Sequence, residues 1–316
     1  MEAALDWYDF WNYYYLGKYQ AANDVCTTLL EPNQWPRSVL LAVIRLRLAL
    51  RDLEGIRALR NLVNDTWTSS VIHELIETLQ KNVPPIDDGE RLRSVVFGDG
   101  SALDAVDEAG RLLAALALQR AGLYLDALET LPLSRCENDA ESRACRICLW
   151  LHLNRLDRAQ LEQQALEHWF ERQLADGDQR AVGTLVQLSR ATLAVASNDA
   201  EDVAIEAALR SCRDLAERYG PSTKLLNLTY LCLVRLGRTE ASESTLQQAM
   251  NLDAQDPDTM ANTAASAAKT SMMMMAFPEA ATATQRPIEY LRKYAPWHPW
   301  IRAQDDFERK LRGLAT

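Results

Sequence analysis

Cys145-Arg146-Ile147-Cys148, with His152 four residues later and Cys136 upstream, offers four soft donors of the kind that hold zinc. On a helix, spacings of three and four put three of them on one face. Zinc sites, however, usually hold a C-x-x-C on a knuckle with a second pair elsewhere. These residues lie in an apolar run with Leu149 and Leu153 and read as buried free thiols. Asp87-Asp88-Gly89-Glu90 and Asp305-Asp306-Phe307-Glu308 invite a magnesium reading, but neither has the DDxxD spacing that places carboxylates one turn apart to share metal ions. The first follows Pro84-Pro85 and reads as a loop able to cap the next helix. The histidines are His73, His152, His168 and His298, with no serine or cysteine nucleophile motif beside them and no glycine-rich phosphate loop. The expectation is a chain with no catalytic residue, cofactor or metal.

What remains is the periodicity of the chain itself. From Lys224 to Pro257 it reads as one helical hairpin. Gly237 breaks the first helix, because glycine takes left-handed backbone angles without steric penalty. Ser242, Leu246, Ala249 and Met250 share one face of the second helix, and Asp253 and Pro257 close it. Weaker copies of the same turn stand at Leu16-Gly17-Lys18 with Ala22, at Gly122 with Ala127, and at Asn154 with Ala159, where asparagine replaces glycine. Polar breaks near Asp52, Asn82 and Asn198 divide the rest into intervals of about 30 to 45 residues, the length of helical repeats. The fold class that follows is all-α, a right-handed α-solenoid of about seven or eight tetratricopeptide-like hairpins. Its domains are expected as an array over 1–256 and a helical cap over 257–316 that continues it. Between 262 and 287 the chain is rich in Ala, Thr and Met, including Met272 to Met275, and reads as a helix, a loop carrying an insertion, and another helix.

Composition agrees. Glycine (12) and proline (11) are scarcer than in average proteins, whereas strands need their turns. A net charge of -10, without a stripe of Lys and Arg interleaved with aromatics, argues against nucleic acid or an anionic lipid surface as direct partner. The apolar run Val39 to Leu50 carries Arg45 and Arg47 and falls short of the roughly 20 residues of a spanning helix. The first residues lack a basic secretory start, and six scattered cysteines fit a reducing compartment, so the cytosol is expected.

A hairpin array implies a partner in its inner groove. With Gly17 as the turn, the groove-facing positions of the first helix are Trp7, Trp11 and Tyr14, while Phe10 and Tyr13 pack on the second helix. Eight aromatic residues lie within the first 19. Either the first three rings are hot spots for a partner, or they cap the array or pack on another turn of it. The same register puts Leu116 and Arg120 toward the groove from Gly122, and Asn227, Leu231 and Arg235 from Gly237. An asparagine and arginines there could bond the backbone of an extended or hairpin segment.

Leu225 to Asn262, with Leu236-Gly237-Arg238 and Asp256-Pro257-Asp258-Thr259, resembles the epsilon subunit of coatomer. So do Glu289-Tyr290-Leu291, His298-Pro299-Trp300-Ile301 and Asp306-Phe307-Glu308-Arg309 near the end, and Tyr15 to Gln20 and Leu153 to Ala159 upstream. The resemblance implies a non-catalytic member of the COPI coat that holds the carboxy-terminal domain of the alpha subunit in a curved array. It would meet other coatomer subunits indirectly. It would work in the cytoplasm and peripherally on Golgi membranes and coated vesicles, in Golgi-to-ER and intra-Golgi transport. The alternative is a tetratricopeptide co-chaperone or other peptide-binding adaptor, which would clamp a peptide carboxylate with paired Lys, Arg and Asn.

Overall fold

The computed structural model describes residues 7–81, 85–98, 103–175, 180–274 and 277–314; side chains are described over these ranges apart from 81, 85–88, 174–175, 180–181, 270–274, 277–283 and 314. The chain divides into two compact units, Met1–Ala200 and Glu201–Thr316. The described residues are helical, with no strand among them.

In the first unit the helices are α1 (Tyr8–Tyr15), α2 (Tyr19–Leu29), α3 (Arg37–Ala49), α4 (Leu53–Arg60), α5 (Thr66–Lys81), α6 (Pro85–Phe97), α7 (Glu108–Ala121), α8 (Tyr124–Thr130), the short α9 (Leu133–Cys136), α10 (Ala140–His152), α11 (Leu156–Ala175) and α12 (Arg180–Ala196). The second holds α13 (Asp202–Tyr219), α14 (Thr223–Arg235), α15 (Thr239–Leu252), α16 (Pro257–Met274), α17 (Phe277–Tyr294) and α18 (Pro299–Leu314). Successive helices pack as hairpins: α1 on α2, α3 on α4, α5 on α6, α7 on α8 and α10 on α11 in the first unit, α14 on α15 and α16 on α17 in the second. Hairpin stacked on hairpin is the construction of a helical solenoid.

Each expected turn is made by the residue assigned to it. Gly17, Gly122, Asn154 and Gly237 have φ of 77°, 77°, 56° and 69°. All four close the preceding helix with the same pair of backbone bonds, seen at Gly237 N–H to Val234 (3.1 Å) and Arg238 N–H to Leu233 (2.9 Å). A fifth copy was not expected. Arg51, at φ 57°, ends α3 in the same way, with Asp52 N–H bonded to Arg47 at 2.9 Å. Five residues beyond the turn, where the second helix crosses the first closely, stand Ala22, Ala127, Ala159 and Ser242, all buried; the Arg51 hairpin has the bulkier Ile56 there. Asp52 then caps α4 through Gly55 N–H, as Asp107, Asp139 and Ser222 cap α7, α10 and α14.

Nothing lies within 4 Å of where a Cβ on Gly237 would sit, so only the backbone opposes a side chain there. Gly237→Ala should therefore cost the second unit about 1 kcal/mol in urea unfolding, and Gly237→Asn only a few tenths, since asparagine tolerates this conformation. An equal loss for both would mean that contacts, not φ, set the cost.

Two expectations are corrected. Asp87 and Asp88 lie in the first turn of α6 rather than in a loop, because Pro85 suits a helix start and acids there complement the helix dipole. Within 262–287 the long loop with an insertion gives way to helix up to Met274 and again from Phe277, in keeping with the helix propensity of Ala and Met; Met275 and Ala276 lie outside the described residues.

The first helix packs on another turn of its own unit. The inner helices stand in the order α3, α7, α10 and α12, each against the next, and α1 packs on α12 while α2 packs on α3. Asn12, fully buried on α1, donates to Tyr8 O (2.8 Å) and accepts from the Thr184 hydroxyl of α12 at 2.5 Å. The first hairpin thus touches both the next hairpin and the last helix of its unit.

Candidate partner-binding surface

The ring-rich first helix is built around Phe10, which is fully buried and meets Trp7, Trp11 and Tyr14 at centroid distances of 5.9, 5.0 and 6.1 Å. Trp11 also stacks on Tyr15 at 5.7 Å. Trp7, Trp11 and Tyr14 are half-buried, packed against the core of the first unit with one part exposed; Tyr13 is half-buried as well, with the Lys18 ammonium 5.5 Å from its ring centre. Packing on another turn of the array is therefore part of what these rings do.

Tyr14 leads to an ion pair missed in the sequence. The Arg45 guanidinium of α3 lies 5.2 Å from the Tyr14 ring centre and binds the Glu141 carboxylate of α10 at 3.1 Å, both ions largely shielded from water. Burial works against the charge of Arg45, but its neighbours, the Glu141 carboxylate first and then Tyr14 and Tyr15, together more than offset it and hold the guanidinium above its ordinary value. Burial likewise pushes the Tyr14 hydroxyl up, so it stays protonated and available as a donor. The signal that could have found this pair was an arginine inside the apolar run Val39 to Leu50.

On α7, Leu116 and Arg120 are half-buried one turn apart. Burial, and then the charge of Arg51 beside it, bring the Arg120 guanidinium down to about 10, so it remains a cation at neutral pH. In the second unit Leu231 and Arg235 are half-buried on α14.

Asn227 differs. It is buried, and its amide donates to Asp256 Oδ1 (3.0 Å) and the Thr259 hydroxyl (2.9 Å) while its oxygen accepts from Asn262 (2.9 Å). Asp256 in turn accepts from Thr259 N–H at 2.8 Å, capping α16 ahead of Pro257. The side chain expected to bond a partner instead ties α14 to the start of α16. Asn227→Ala should destabilise the second unit by about 2 to 3 kcal/mol in urea unfolding, because it strips partners from buried polar groups. A loss under about 0.5 kcal/mol would return Asn227 to the surface set.

The residues considered for chemistry are engaged elsewhere. Burial pushes the Cys145 thiol up, and His152 stacks on Tyr124 with ring centres 4.8 Å apart. Asp305 and Glu308 both bind Arg292, at 2.8 and 2.9 Å, and His298 meets Asp258 at 3.0 Å. Among the described residues no group of His, Cys, Asp and Glu is gathered to hold a metal, and no helix is long and apolar enough to cross a membrane.

Comparison with known proteins places this architecture. A family model described as "Coatomer epsilon subunit" matches residues 4–314. The chain is 29% identical over 136 residues to "Coatomer subunit epsilon-1" of Arabidopsis thaliana, covering 42% of each chain. It is 28% identical over 186 residues to "Coatomer subunit epsilon" of Dictyostelium discoideum, covering 59% of this chain and 55% of that one. With "Coatomer subunit epsilon-1" of Oryza sativa subsp. japonica it shares 25% identity over 209 residues, 65% of this chain and 64% of the relative. These alignments thus span between 42% and 64% of the relatives' own length. Stacked hairpins closed by left-handed turns and a family match running from one end to the other lead to one conclusion: the chain belongs to the coatomer epsilon subunit family.

Proposed function

We propose that the protein is a non-catalytic structural subunit of the COPI vesicle coat that holds the carboxy-terminal domain of the coatomer alpha subunit and stabilises it. It would act in the cytoplasm, peripherally on Golgi membranes and coated vesicles, in Golgi-to-ER retrograde and intra-Golgi transport. The observation that carries this reading is the family match over residues 4–314. Hairpin arrays of this kind bind other proteins along their inner face, which supports it. The partner would be met by two patches, described separately: Trp7, Trp11, Tyr14, Leu116 and Arg120 on the first unit, and Leu231 and Arg235 on the second. Asn227 is left out because its amide is committed inside the chain. Residues 257–316 would serve as the cap that continues the array over 1–256.

Co-expression with the alpha carboxy-terminal domain, followed by size exclusion, tests the proposal. One co-eluting species of near-equal stoichiometry that survives dilution is expected, as for an obligate interface of roughly 2,000 Å² or more. Separate elution of the two chains would end this reading.

A further inference from the structure

α18 is seated by its first turns and left bare along one face of the rest. Ile301 is buried with Ala261, Leu291 and Ala295 in the core of the second unit, and Trp300 packs beside them. Asp305 and Glu308 then hold Arg292 of α17 at 2.8 and 2.9 Å. Phe307 and Leu311, by contrast, are 61% and 49% exposed, and among the described residues they are the only two large exposed apolar side chains that share a helix. Spaced four apart, they stand one above the other, about 6 Å along the axis. The charges around them are ordered by sign: Asp305, Asp306 and Glu308 come first, then Arg309, Lys310 and Arg312.

We propose that α18 is a self-association surface, pairing antiparallel with α18 of a second copy of this chain through Phe307 and Leu311. Charge selects that occupant and its direction. A parallel neighbour of the same sequence would set acid beside acid and base beside base. A reversed one sets the acidic half of each helix on the basic half of the other. The spacing fits as well. With the crossing at the level of Arg309, Phe307 of each copy lies opposite Leu311 of the other. Asp306 then stands within one turn of the other copy's Lys310 on one flank, and Glu308 within one turn of the other copy's Arg312 on the opposite flank. Such a pairing has the two-fold symmetry of most homodimers, in which one patch complements itself. Two apolar side chains from each copy make a small core, so the dimer belongs with transient interfaces of under about 1,200 Å² and dissociates in the micromolar range. This inference does not rest on the partner proposed above, because Phe307 and Leu311 lie outside both of the patches assigned to it.

Sedimentation velocity of the full-length chain, from about 5 to about 500 μM, should show monomer at the low end and a reversible dimer at the high end. Phe307→Ser with Leu311→Ser should weaken the dimer at least about tenfold and leave the melting temperature in place, since both side chains are already exposed. Asp306→Lys should weaken it several-fold by bringing like charges together at Lys310 of the other copy. On net charge alone the same change would favour association, because replacing an acid by a base adds two charges and takes the chain from -10 to -8. Adding Lys310→Glu to Asp306→Lys should restore the original affinity. A chain that stays monomeric throughout overturns the proposal, as does a dimer indifferent to the serine pair or one tightened by Asp306→Lys. If the chain stays monomeric and the serine pair abolishes capture of the alpha carboxy-terminal domain, the stripe belongs to that partner and self-association falls.

Discussion

Arg45→Ala should destabilise the first unit by about 3 to 5 kcal/mol, and Glu141→Ala by a similar amount, whereas Arg45→Met combined with Glu141→Leu should lie within about 1 kcal/mol of the original. The asymmetry comes from where the ions sit. Side-chain exposure is 6% for Arg45 and 18% for Glu141, so removing one leaves the other as an uncompensated charge in the interior. Removing both substitutes apolar volume for two ions whose desolvation had cancelled much of their attraction. The Tyr14 ring over the guanidinium adds a further cation–π contribution of about 1 kcal/mol that the methionine partly replaces by packing. A double-mutant cycle in urea built from Arg45→Met, Glu141→Leu and the two together, followed by tryptophan fluorescence, reads the coupling directly. Singles that add to the double within about 0.5 kcal/mol would show that the two charges do not depend on each other.

That pair, and the closure of α1 on α12, mark the boundary of what the sequence disclosed. The turns were legible because the left-handed backbone has a short list of tolerant residues, and Gly17, Gly122, Asn154 and Gly237 are on it. Arg51 is not, and so the sequence shows only a polar break near Asp52 where an identical turn stands. Face periodicity groups Asn227 with Leu231 and Arg235 along α14. It did not show that Asp256, Thr259 and Asn262 come from α16 to meet the asparagine, because that depends on how the next hairpin stacks. Asp256, Thr259 and Asn262 stand within the stretch that carries part of the family resemblance, and with Asn227 they form one cap and cross-link. Asn12 and Thr184 are separated by most of the first unit, and neither residue's local pattern points to the other.

Trp7→Ala with Trp11→Ala should abolish capture of the alpha carboxy-terminal domain, weakening it about a thousandfold if each ring contributes the roughly 2 kcal/mol of an interface hot spot. The structure makes a control necessary, because both rings also pack on Phe10, and edge-to-face ring pairs contribute about 0.5 to 1.5 kcal/mol each to stability. Phe10 supplies that control. It is fully buried, out of reach of any partner, so Phe10→Leu perturbs the packing of the first helix while leaving the exposed parts of Trp7 and Trp11 in place. The tryptophan pair should lose far more binding than stability, and Phe10→Leu far more stability than binding, with far-UV circular dichroism helical throughout. The tryptophan loss should also exceed that of Leu116→Ala, whose smaller side chain has less area to give. If binding instead falls in step with unfolding free energy across the three variants, the rings serve only to seat α1 on α12. The partner-facing part of the first unit would then contract to Leu116 and Arg120 on α7.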